Sequence, residues 1–393
     1  MQLMYPLMSG RMMVAREAAA GHDEPREEIS MQRRQFIQGV AGGVAATAFS
    51  GLIGRPAFAA ASKCIVPWAS DTKMIKREAK SGPFNIALSN SYIGNTWRTE
   101  MVQIAKAYTE RDDVKPMIKS FQATSSGNEV SAQIAQMNQM ILSGVDAIIL
   151  NAASPTGLNS VIDQAADAGI LVVSFDNVVT TDNAITVNQD QYSMGKQWAD
   201  FVVDKTGGKG NILVVRGVAG TFVDQERTRA ANDVFGKHPD IKTTEIYGNW
   251  DDGTAQKVTA NALASGTKFD GVWSQGGDTG VVRAFQQAGL DIPPIAGEAE
   301  NGFRKLASEL KFPMLSIGQS PALSALSIMV ALDILQGKET PQSVSAPLPT
   351  ATTDTLKSGE NFFPDLPDSF FTPISIPVCG LDFTAEQILK QKV

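Results

Sequence analysis

"GVDAIILNAASPTGLNSVIDQAADAGILVVSFDN" occupies residues 144–177. Ala147, Ile148, Ile149 and Leu150 form a continuous apolar run, the pattern of a strand covered on both faces, as in a parallel sheet. Residues 158–168 read as a helix. A second apolar run at 171–175 is another buried strand, and it ends on Asp176-Asn177. Strand, helix, strand in so short a span is the repeating unit of a parallel sheet with helices packed on its faces.

The same alternation extends in both directions. Upstream, strands read at 84–88 and 114–121. A helix at 95–110 places Met101, Ile104, Ala105 and Tyr108 on one face. A second helix, at 129–142, does the same with Val130, Ile134, Met137 and Ile141. Downstream the alternation runs a second time. Strands read at 212–215, 243–247, 271–274, 294–296 and 314–317. Helices read at 191–205, 224–235, 255–264, 279–288 and 303–309, with a long one at 322–335. The expected fold class is α/β, with two doubly wound parallel-sheet domains. Past Gly337 the chain is rich in Pro, Ser and Thr, with one strand expected at 371–376.

The N-terminal part reads differently. Residues 31–60, "MQRRQFIQGVAGGVAATAFSGLIGRPAFAA", have the three parts of an export signal. Arg33-Arg34 supply the charge, 36–53 the apolar stretch, and Ala57-Phe58-Ala59 the small-x-small cleavage site. The order Arg-Arg-Gln-Phe-Ile resembles the twin-arginine export motif. Gly42, Gly43, Gly51 and Gly54 dilute the run below what a spanning helix needs. Residues 1–30 carry acidic charge where such a signal needs basic charge, so Met31 is the expected initiator. The mature chain is expected to begin near Ala60, in the periplasm.

The two cysteines, Cys64 and Cys379, fit one disulfide in an oxidising compartment, since neither flank forms a metal or redox motif. Two buried thiols are the other reading of the pair. The net charge of −7 argues against nucleic acid as a partner. After the expected cleavage site one histidine remains, His238, in the turn-like "GKHPDI", so zinc sites and histidine-based triads have no material. No glycine-rich phosphate loop follows a strand; "QGGDTG" at 275–280 lacks both the lysine and the spacing. No cofactor and no enzymatic reaction are expected.

In open parallel sheets, ligands bind beyond the carboxyl ends of the strands. Those ends read "SNSYIGNTW", Asn151, Asp176-Asn177, "RGVAGTFVDQER", "GNWDDG", "SQGGD", "GEAEN" and "GQS". Planar amide, carboxylate and guanidinium groups bind vicinal hydroxyls in pairs, and the C–H faces of a sugar pack on rings such as Trp97 and Trp250. Taken singly, such residues are equally explained as caps and turns. Taken together they mark a small-molecule cleft.

From Phe84 to about Gly337 the chain resembles the periplasmic sugar-binding proteins of ABC importers, of the ribose-binding type. The resemblance is carried by "SYIGNTW", "VVSFDN", "GVAGTFVDQERTRAANDVF", "WSQGGDTGVVRAFQQAG" and "SIGQSP". It implies two domains joined by a three-crossing hinge and closing on one monosaccharide or sugar alcohol, which a membrane ABC permease takes up from the monomeric binder. A periplasmic sensor presenting its ligand to a membrane receptor shares the same fold. The implied boundaries are 1–59 (leader and signal), 60–83 (extension), 84–188 plus 320–340 (first domain) and 189–319 plus 341–393 (second domain and tail).

The implied ligand contacts are Ser91, Asn95 and Trp97 on the first loop, then Asn151, Asp176 and Asn177. From the second domain come Arg227, Trp250, Gln275 and Glu298, with Gln319 at the hinge. Asn177 stands where ribose binders carry arginine, and Gly276 where they carry asparagine, so Gln275 or Asp278 takes that role. "GEAEN" leaves Glu298 or Glu300 to supply an acid. These departures point away from ribose itself.

Overall fold

The computed structural model describes residues 64–393. The expected leader, export signal, cleavage site and mature start lie outside the described residues. Among these residues no helix is long and apolar enough to cross a membrane.

The first lobe holds β1 (Phe84–Asn90), β2 (Ile118–Ser125), β3 (Ala147–Asn151), β4 (Leu171–Phe175) and β5 (Ala184–Asn188). It also holds helices α1 (Thr96–Thr109), α2 (Val130–Leu142) and α3 (Asn159–Asp167). The second lobe holds β6 (Gly210–Arg216), β7 (Ile241–Tyr247), β8 (Gly271–Ser274), β9 (Ile295–Gly297) and β10 (Met314–Ile317). Its helices are α4 (Gln191–Thr206), α5 (Phe222–Phe235), α6 (Asp252–Ala264), α7 (Asp278–Gln287) and α8 (Asn301–Leu310). Helix α9 (Leu323–Leu335) returns to the first lobe.

Both sheets share one order, β2-β1-β3-β4-β5 and β7-β6-β8-β9-β10, all parallel. The order reverses beside β1 and β6, which opens a crevice at the carboxyl ends of the strands. β3 and β4 are buried at every position, as their unbroken apolar runs require. Apolar clusters fill both faces of each sheet. Each fully buried Leu, Ile or Val in them contributes about 1.5–3 kcal/mol.

Two elements differ from the sequence reading. The strand expected at 114–121 begins at Ile118, because Lys115–Met117 winds into a 3-10 turn led by Pro116. β5 was not anticipated from its short run.

The tail departs further. It was expected in the second domain, but it divides. β11 (Ser343–Ser345) pairs parallel to β5 in the first sheet, while β12 (Thr350–Thr352) pairs antiparallel to β10 in the second. Ile374, Ile376, Leu381, Phe383 and Ile388 are then buried in the first lobe's core, ahead of and within α10 (Ala385–Leu389). The strand expected at 371–376 is reduced to single bridges, Glu300 with Phe371 and Ile376 with Leu381. Pro373 and Pro377 withhold the N–H groups a ladder needs.

Three links join the lobes, after β5, after β10 and between β11 and β12. Gln189 holds them together. Its Oε1 accepts from Ser320 N–H at 2.8 Å, and its Nε2 donates to the carbonyls of Gly318 and Pro347. Beyond these links the tail passes back to the first lobe around Thr372–Pro373–Ile374. The Cys64–Cys379 disulfide then ties it to the N-terminal extension.

Candidate functional site

A cavity of about 380 Å³, its open mouth included, lies between the carboxyl ends of the two sheets. Its wall includes Asn95, Trp97, Asp176, Asn177, Arg227, Trp250, Gln275, Glu298 and Gln319 from the expected set. Ser91 and Asn151 stand one layer behind.

On the first lobe, α1 starts where Asn95 Oδ1 accepts from the backbone N–H of Arg98 at 3.0 Å, a side-chain cap on the helix's unpaired donors. That start directs Trp97 and Arg98 into the cleft. Trp97 Nε1 donates to the Gln319 carbonyl at 2.9 Å, so the ring is fixed against the hinge. Asp176 follows β4 with φ +58°, a left-handed conformation that strains a non-glycine residue. Its carboxylate gathers Asn151 Nδ2 and Asn177 Nδ2, each at 2.8 Å, and Gln319 Nε2. The Arg98 guanidinium lies 3.6 Å away, itself bonded to Asn90 and Ser91.

On the second lobe, Arg227 is 1% exposed and rests on the Trp198 ring at 5.0 Å. Its guanidinium reaches Gln191 Oε1 at 2.8 Å, the Gln275 carbonyl at 3.3 Å and Glu298 Oε1 at 2.7 Å. It also donates to Gln319 Oε1. Burial raises the Glu298 carboxyl above its ordinary value, and the charge of Arg227 opposes the shift. Trp250 is presented by a tight turn in which Asn249 and Trp250 both have positive φ, and its Nε1 is buried without a partner. Gly217 makes room for the ring: a Cβ there would lie 2.1 Å from Trp250 Cε2.

Of the two acids left open, both face the cavity. Glu300 accepts from Gly277 N–H at 2.6 Å and from both the N–H and hydroxyl of Thr279 at 3.1 Å. Burial, then Asp252 and Asp278, push its carboxyl well above the usual range. Gln275 also faces the cavity, with its Oε1 buried and unpaired. Asp278 does not; it is fully buried and accepts from Glu298 N–H at 2.7 Å.

Sequence reasoning missed Arg98, Val223 and Phe371. The cap at Asn95 was a signal for Arg98, since it sets the first turn. Phe371 had none, because it arrives from the tail.

Charge nearly balances on the wall. Arg98 faces Asp176, Arg227 faces Glu298, and Glu300 is held toward its neutral form. Rings and amides supply the rest. Two similar lobes around a polar, charge-balanced cavity define a two-domain binding protein for small molecules. The chain belongs to the periplasmic binding protein family, whose domain model matches residues 86–339. The xylitol-binding protein of Mycolicibacterium smegmatis is 29% identical over 59% of this chain and 68% of its own length. The ribose import binding protein RbsB of Bacillus subtilis is 23% identical over 68% of this chain and 87% of its own. An ABC transporter solute-binding protein from Thermobispora bispora superposes with a TM-score of 0.64 at 32% identity, covering 67% of this chain and 84% of that one.

Proposed function

We propose that this chain is the solute-binding subunit of an ABC importer, capturing a neutral monosaccharide or sugar alcohol between its lobes and delivering it to a membrane permease. The observation that carries the reading is the paired charge of the cavity wall. Arg98–Asp176 and Arg227–Glu298 offer donors and acceptors to hydroxyls without a net charge to attract an ion. Trp97, Trp250 and the amides of Asn95, Asn177, Gln275 and Gln319 suit the C–H faces and remaining hydroxyls. Binding closes the lobes about the links braced by Gln189. The relatives that bind xylitol and ribose agree with this ligand class. The Cys64–Cys379 bridge agrees with export to the periplasm, by the signal expected at 31–59.

The test is a titration of tryptophan fluorescence on protein unfolded and refolded to strip carried ligand, against pentoses, hexoses, deoxysugars and polyols, with amino acids and organic acids as the charged set. A saturable change with one or a few of these is expected. A response only to charged solutes, such as amino acids or organic acids, overturns the reading.

A further inference from the structure

The tail that follows the family's core pattern enters the binding cavity. Phe371 lies beyond the matched residues 86–339, yet it lines the inter-lobe cavity together with Trp97 and Asp176. It also lines a second, adjoining cavity of about 430 Å³, its open mouth included. Asn95, Trp250, Glu300 and Phe371 line both spaces and so stand where the two adjoin. Of these four, Phe371 alone comes from outside the matched residues.

The tail is built into this position. Asn301 N–H and Gly302 N–H donate to the carbonyls of Phe370 and Asp368, each at 2.8 Å, and Thr372 N–H donates to the Ala299 carbonyl at 3.0 Å. A Cβ on Gly302 would sit 2.7 Å from the Asp368 Cβ, so the glycine permits the approach. On the opposite lobe, the buried Glu100 of α1 accepts from Phe371 N–H at 3.0 Å. Phe371 is therefore held from both lobes: its N–H is bonded to Glu100, and the half-buried residue packs against the first lobe's apolar cluster while lining the cavity.

We infer that Phe371 is a ligand-contacting, specificity-determining residue, its ring packing on the C–H face of the bound sugar or polyol and closing the cavity against larger solutes. This rests on the sugar or polyol reading of the cleft. An apolar aromatic residue that lines the cavity together with Trp250 suits the C–H faces of a cyclic sugar or a folded polyol, and offers no hydrogen bond to a flanking hydroxyl-rich unit. A second saccharide unit extending into the adjoining cavity would have to pass it.

The experiment compares the full chain with Phe371→Ala and Phe371→Leu by calorimetric titration. The ligands are the monosaccharide and polyol panel and the disaccharides maltose, sucrose and trehalose. Leucine keeps the apolar bulk that anchors the tail and removes the flat face, and melting temperature reports folding. The expected result is a loss of affinity for the preferred monomer of about two- to tenfold in Phe371→Leu and more in Phe371→Ala, with the monomer-to-disaccharide preference narrowed in Phe371→Ala. Unchanged affinities and an unchanged preference in folded Phe371→Leu and Phe371→Ala overturn this inference and leave the function intact. Wild-type protein that binds no sugar or polyol overturns both.

Discussion

Asn177, on the first lobe, accepts a hydrogen bond through Oδ1 at 3.2 Å from the backbone N–H of Val223, on the second. Its Nδ2 meanwhile donates to Asp176. One amide thus links the ligand-side carboxylate to the start of α5 across the cleft. Asn177→Ala removes the link without adding bulk. A hydrogen bond of this kind contributes about 1 kcal/mol, so loss of the link alone weakens ligand binding about fivefold, and loss of the wall amide adds to it. The loss should appear in the dissociation rate, because the link forms only with the lobes together. Stopped-flow fluorescence separates the two rates, and a purely slower association would contradict this role.

Gly217→Ala tests the seat of Trp250. The added methyl would start 2.1 Å from the ring carbon Cε2 and 2.2 Å from Nε1, so the indole must move. Overpacking of this kind costs about 1–3 kcal/mol. Ligand affinity should fall about tenfold or more and the fluorescence maximum should shift. An unaltered emission spectrum with unaltered affinity would show that Trp250 is not fixed by this contact.

Glu100 gives the fold a pH dependence with a defined sign. Burial raises its carboxyl well above the ordinary range, opposed by the Phe371 N–H, and Glu300 and Asp278 are raised in the same direction. The native state therefore keeps protons that the unfolded chain has already lost. These groups stabilise the fold fully below the ordinary carboxylate range, and that contribution is lost as pH rises toward the raised values. Glu100→Gln retains an acceptor for Phe371 and cannot ionise. Between about pH 5 and about pH 8 its melting temperature should fall less steeply than the wild type's. Equal slopes would remove Glu100 as a source of the dependence.

The repeated α/β units were legible because their buried strands are continuous apolar runs, as at Ile148–Leu150 and Val172–Val173. Wall residues such as Asp176, Asn177, Gln275 and Glu298 were legible at the ends of those strands, whereas Asn95, Trp97 and Arg227, at or inside helices, were expected through the resemblance to ribose-type binders. Arg98 was passed over although it follows Asn95 and Trp97 in the same helical turn, because the resemblance carried no arginine at that position. The disulfide of the tail was legible, but its path was not, because around Phe371 it is fixed by backbone hydrogen bonds and a glycine contact at Gly302, and its buried Ile374, Ile376, Leu381, Phe383 and Ile388 keep no regular period. Its expected strand failed at Pro373, and its division between lobes depends on β11 finding the open edge beside β5.

Asp176 carries the central claim, since Asn151, Asn177, Gln319 and Arg98 all converge on its carboxylate. The most direct measurement is calorimetric titration of Asp176→Ala with the sugar or polyol that the wild type binds, alongside its melting curve. The account predicts a folded protein with no measurable binding. Undiminished affinity in a folded Asp176→Ala protein would contradict it.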